Sequence, residues 1–208
     1  MDFAKMKSDA ELLSIKKFSN DFHDSSLGLG SINGYVKKDG RHFAPVKGNE
    51  SFKSPERSTK NSAGYDFFAP EDVKIPSLWL QFKEFTMDKL IGINDTMNTK
   101  KYFKPTLVKT NVKAYMGDDE VLVLYNRSSN PGKKFLILAN GVGIIDSDYA
   151  DNKDNDGNIM FAFWNLSPFS STIKAGDKIG QGIFQKFLKV ADDKATGERV
   201  GGIGSTGN

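Results

Sequence analysis

The chain has 208 residues, 38% hydrophobic and 26% charged, with a net charge of +3. That length allows one sizeable domain with a real core, no segment approaches the ~18 apolar residues of a membrane span, and the near-even charge offers no basic groove for long nucleic acid. With no cysteine and only His23 and His42, disulfides, zinc–thiolate centres and cysteine nucleophiles are excluded, and a histidine-dependent triad or multi-histidine metal centre is hard to build.

The chain starts "MDFAKMKSDAELL", with early acids and no signal-peptide core, which fits a cytoplasmic protein. Ser8 to Glu11 has capping-box spacing before Leu12, Leu13, Ile15 and Phe18, which predicts a short N-terminal helix over 8–18. Residues 19–64 read as loop. In "PSLWLQFKEFTMDKLIGI", 76–93, Leu78, Trp79, Phe82, Phe85 and Leu90 recur at helical spacing behind a cap at Ser77, which predicts a short helix packed on the core, with an exposed partner-binding helix as the alternative. From 105 onward, short β-rich runs alternate with turn signals at Gly117-Asp118, Asn130-Pro131-Gly132, Asp156-Gly157 and Ala175-Gly176, the pattern of an all-β sandwich or barrel. The tail from 192 has no core-forming periodicity.

Candidate chemistry sits on the loops. "ANGVGIIDSDYADN", 139–152, places Asp146, Asp148 and Tyr149 directly after an apolar run; this is either a tight surface turn or a place where a carboxylate meets a ligand. "DNKDNDGNIMF" matches the start of a calcium loop at Asn152, Asp154, Asp156 and Gly157, but the closing acid is replaced by Phe163, so a hairpin loop is expected instead. Arg127 in "YNRSSN" can fork onto phosphate oxygens beside Ser128 and Ser129, or these three form a polar turn. Asp66 in "SAGYDFFAP" is a turn acid or a carboxylate holding a hydrated metal. "GGIGSTG", 201–207, is a disordered tail or a backbone that wraps phosphates through bare amides.

The order of the stretches "AGYD", "RSS", "GIIDSDY", "AGDKIGQG" and "GERVGGIGSTG" resembles the five motifs of the trimeric deoxyuridine triphosphatase (dUTPase) family, in the branch of Gram-positive bacteria and their phages. The resemblance covers roughly 52–208. It implies a jelly-roll β-barrel, a homotrimer with sites between subunits, and magnesium-assisted hydrolysis of dUTP to dUMP and pyrophosphate by water attack on the α-phosphate. That activity keeps uracil out of DNA and supplies dUMP for thymidylate synthesis. By the same resemblance, Asp146 activates the water, and Tyr149 lies against the deoxyribose and excludes a 2′-hydroxyl. Asn140 reads uracil, with Gly143 and Ile145 nearby. Arg127, Ser128, Ser129 and Gln181 bind phosphates, and Asp66 reaches Mg2+ through water. Arg199, Ile203, Gly204, Ser205 and Thr206 belong to a mobile arm, 192–208, that closes over a neighbouring subunit's nucleotide.

The expected organisation is an N-terminal extension over 1–50, a jelly-roll domain over 51–191 with a helical insert near 77–104, and the arm. Some phage members of the family bind repressor proteins, so a repressor is a further partner the resemblance admits; nucleic acid and membrane are not expected. The chain departs from the family at Ile203, where a phenylalanine usually stacks on the base, at Gly180, where alanine or valine is common, and at Phe135, often a glycine. A non-catalytic or weakly catalytic trimer that senses dUTP or binds a repressor is the alternative reading, and a dCTP deaminase, which shares the fold, is disfavoured by the Ile-Asp-Ser-Asp-Tyr stretch with "RSS".

Overall fold

The computed structural model describes residues 31–32, 35–36, 40–49, 52–91 and 102–202. The helix expected over 8–18 and the arm residues Ile203, Gly204, Ser205 and Thr206 lie outside them. One compact unit covers 1–39 and a second 40–208. In the first, Ser31–Ile32 (β1) and Tyr35–Val36 (β2) pair antiparallel.

The second unit is built from short strands where alternating β-formers meet turn residues. They are His42–Pro45 (β3), Tyr65–Phe68 (β4), Val73–Ile75 (β5), Thr106–Lys109 (β6), Val112–Tyr115 (β7), Glu120–Asn126 (β8), Leu136–Leu138 (β9), Gly143–Asp146 (β10), Met160–Asn165 (β11), Ser171–Ile173 (β12) and Lys178–Lys186 (β13). A four-stranded sheet runs β10-β8-β13-β4 and a three-stranded sheet runs β6-β11-β9, with β12-β5 and β3-β7 as separate pairs. All these pairings are antiparallel. The all-β jelly-roll expectation holds, although among the described residues the ladders do not close into a barrel. β3 lies inside the stretch read as loop, because four residues with one fully buried position carry little periodicity.

The core lies between the two larger sheets. Phe67, Leu122 and Leu124 from the four-stranded sheet join Val108, Leu136, Phe161 and Phe163 from the three-stranded sheet in one buried cluster. The Phe67 and Phe161 rings meet across it at 5.6 Å. On β11 every second residue is buried, the period of a strand with one face inward.

The predicted helix forms over Leu78–Leu90 (α1), and the Ser77 hydroxyl accepts from the Trp79 amide at 3.1 Å. Its packing differs from expectation. Trp79, Phe82 and Leu90 are exposed, and the residue it buries is Gln81. The helix leans instead on the chain that follows it: Phe85 meets the Tyr102 and Phe103 rings at 5.4 and 5.6 Å, and Gln81 accepts from the Lys104 amide at 3.1 Å. The loop expected to be a hairpin is corrected too. It carries the chain from β10 in one sheet to β11 in the other, and so bridges the sandwich.

Candidate active site

The expected site residues gather in two clusters. The first surrounds Asp66 on β4, a side chain 2% exposed. Its register partner on β13 is Gln181, whose amide donates to Asp66 Oδ1 at 3.1 Å. Asp66 Oδ2 accepts from Ser58 Oγ at 2.6 Å and from Lys178 Nζ at 2.7 Å. Arg127 Nε lies 3.7 Å from Oδ1, and its Nη1 donates to the Lys178 carbonyl at 3.3 Å. Burial works against the Asp66 charge, but hydrogen bonds from Lys178, Ser58 and Gln181 outweigh it and hold the carboxyl below the usual range. The carboxylate expected to face a hydrated magnesium thus has both oxygens engaged by its own chain, and it orients Arg127 and Gln181.

Arg127, Ser128 and Ser129 leave the end of β8 and lead into one turn of π-helix, Asn130–Lys134. The buried Asn130 amide ties this turn to Asn126 Oδ1 at 2.7 Å and to the Ile179 carbonyl at 2.8 Å. Phe135 ends the turn with φ 56°, a left-handed conformation that glycine adopts at less cost; this accounts for the glycine usual in the family. Fixed guanidinium, hydroxyl and ammonium groups together make a cradle suited to phosphate oxygens.

The second cluster surrounds Asp146, the last residue of β10. A single 3-10 turn follows over Ser147–Tyr149. Arg199 returns from the arm and donates through Nη2 to Asp146 Oδ2 at 2.5 Å and through Nε to Asp148 Oδ1 at 2.7 Å. Its guanidinium lies 5.6 Å from the Tyr149 ring centre. These partners, Asp148 foremost, raise the Arg199 pKa. Tyr149 is buried; its hydroxyl donates to the Asn158 carbonyl at 3.2 Å and accepts from Asn155 at 2.9 Å. Burial pushes its phenol up. Farther along the arm, the Gly202 amide donates to Asp154 at 2.7 Å.

Asn140 sits in the exposed turn between β9 and β10. Gly143 and Ile145 lie on β10 itself; the Ile145 side chain is in the core, which leaves its backbone for any ligand. A side chain at Gly143 would crowd Leu124 at 3.1 Å.

Asp146 pairs with Val121 at one end of β8, and Gln181 pairs with Tyr125 near the other. β10 and β4 are the outer strands of the sheet, about 14 Å apart across it, and the register adds about 13 Å along it, which puts Asp146 and Asp66 roughly 19 Å apart. The two clusters therefore stand well apart within one chain. Lys178 and Ser58 were not singled out from the sequence, and Asp148 was noted there only as an acid beside Asp146. For Lys178 a signal existed, its place in "AGDKIGQG" three residues before Gln181.

A family model described as dUTPase matches residues 93–207. A deoxyuridine 5'-triphosphate nucleotidohydrolase of Lactococcus lactis is 38% identical over 162 residues, 76% of this chain and 91% of the relative. The crystal structure of a dUTPase from Streptococcus mutans superposes with a TM-score of 0.55 at 33% identity, covering 71% of this chain and 97% of that one. A mutant dUTPase from phage phi11 of S. aureus, described with a coordinated structural Mg(II) ion, shares the fold at a TM-score of 0.51 and 18% identity, covering 76% and 97%. Motif order, fold and relatives agree: the chain belongs to the dUTPase family.

Proposed function

We infer that this chain is a dUTP diphosphatase, hydrolysing dUTP to dUMP and pyrophosphate. The observation that carries the reading is the meeting of Arg199 with Asp146 beside Tyr149, which brings the arm onto the third motif from 53 residues away. Asp146 stands at a strand end and is half exposed, placed to take a proton from a water attacking the α-phosphate. Substrate phosphates compete for the Arg199 guanidinium; their binding frees Asp146 for the water. Arg127, Ser128, Ser129, Lys178 and Gln181 hold the phosphates, Asn140 and the β10 backbone the uracil, and Tyr149 the deoxyribose. Ile203, Gly204, Ser205 and Thr206 continue the arm over the nucleotide.

Among the described residues no group of three or more carboxylates and histidines is arranged to hold a metal. Magnesium, which keeps most of its waters when bound, would enter with the triphosphate and would neutralise phosphate charge there. Asp66 acts toward it through water and through the groups it orients. The roughly 19 Å between half-sites supports a trimer in which one chain's Asp146 meets another chain's phosphate cradle.

The test is pyrophosphate release with magnesium from dUTP, dTTP, dCTP and UTP. Release from dUTP alone is expected. Asp146→Asn should lower kcat by about 10²–10⁴ while dUTP binding persists, because shape is kept and the base is lost. Normal turnover by that variant rules out Asp146 as the base.

A further inference from the structure

The loop that resembles the start of a calcium site holds an ammonium at its centre. Lys113, on β7, is 8% exposed, and its Nζ lies 2.5 Å from Asp151 Oδ1 and 2.9 Å from Asp156 Oδ2. Asp151 also accepts from the Tyr115 hydroxyl at 2.9 and 2.8 Å, and Asp156 Oδ2 accepts from the Lys47 amide at 2.7 Å. Both acids adopt left-handed backbone, with φ of 60° and 56°, which a non-glycine residue holds only when its surroundings impose it.

Residues 152–158, which run between and just past these acids, hold Tyr149. Asn152 donates to the Tyr149 carbonyl at 2.8 Å. Asn155 donates to its hydroxyl at 2.9 Å, and the Asn158 carbonyl accepts from that hydroxyl. Gly157 packs so closely that a Cβ there would lie 2.8 Å from Ala150 Cα. Without the buried ammonium, these two carboxylates would keep as counter-charge the exposed Lys47, 3.6 Å from Asp156 Oδ1; a solvated surface ion pair holds a loop weakly, and the loop would loosen.

We propose that Lys113 is a positioning residue for sugar selection: by clamping Asp151 and Asp156 it fixes the loop that sets the Tyr149 ring, and so decides how strongly UTP is rejected against dUTP. This rests on the reading above that Tyr149 lies against the deoxyribose. A ring held tightly leaves no room for a 2′-hydroxyl, and a ring that drifts admits it. Burial works against the Lys113 charge, but its bonds to Asp151 and Asp156 outweigh this and raise its pKa, so the clamp stays charged throughout the working pH range.

The experiment measures kcat/KM for dUTP and for UTP in the full chain, in Lys113→Met, Lys113→Arg and Tyr149→Ala, each with a melting curve. Lys113→Met should melt cooperatively at a lower temperature and lose about tenfold to a hundredfold of the dUTP/UTP ratio; Lys113→Arg should recover most of it. A folded Lys113→Met that keeps the wild-type ratio, while Tyr149→Ala loses it, overturns the proposal and leaves the sugar reading standing. A wild-type ratio in Tyr149→Ala overturns both. Should Lys113→Met fail to fold, Asp156→Asn removes one half of the clamp and decides by the same ratio.

Discussion

Three donors and a nearby guanidinium converge on the Asp66 carboxylate, and the pH dependence of stability should report it. Its folded pKa is held below the ordinary 3.8, so as acid is added the unfolded chain takes up this proton first. The stabilisation is complete above the unfolded value and is lost as pH falls through the depressed folded value. Asp66→Asn should therefore cost about 2 kcal/mol at neutral pH, and the gap between the two melting temperatures should begin to narrow near about pH 4 and close only below the depressed folded value. A gap of constant size down to pH 2 would mean that the charge of Asp66 contributes nothing. At this scale the sequence displayed the acids but hid their partners. Asp66 and Asp146 stand in recognisable stretches, and Lys178 shares one with Gln181, but the carboxylate partners of Lys178 and Lys113, 112 and 38 residues away, appear only on folding.

Among the elements, β13 and β11 share a compensated contact. Gly180 stands where the family commonly has alanine or valine, and a Cβ there would overlap the Phe161 ring. Phe161 is fully buried between the sheets and faces Phe67, so its ring takes the volume that a side chain at 180 would fill. Gly180→Val should destabilise the chain by about 1–3 kcal/mol through overpacking, and Phe161→Leu should recover part of the loss in the double variant. Strictly additive costs, measured by denaturant unfolding, would show that the two positions do not share this space. The strands after 105 were legible because their period matches a half-buried sheet. Helix α1 was legible as a helix but not in its packing. Its apolar spacing fits a core-facing stripe, yet the Gln81 face is the one held, by the Lys104 amide. Local pattern does not say which neighbour arrives. The bridging loop was misread as a hairpin for the same reason: turn residues fix a turn, not the sheet in which the next strand pairs.

At the scale of the whole molecule, the two clusters stand apart within one chain. Asp146 lies on one edge strand and Asp66 on the other, at opposite ends of β8. If each site takes its base from one chain and its phosphate cradle from another, two inactive proteins should repair each other. Asp146→Asn supplies intact cradles, and Arg127→Ala supplies intact bases. In trimers formed from an equal mixture, one site in about four draws both good halves, so activity should recover to about a quarter of wild type after subunit exchange. The recovery should need exchange, appearing after co-refolding and not on simple mixing if the trimer dissociates slowly. If co-refolded trimers containing both chains stay inactive, the base and the cradle serve one site from the same chain. The arm would then have to reshape the sheet edge to close roughly 19 Å, which packed sheets with a shared core resist.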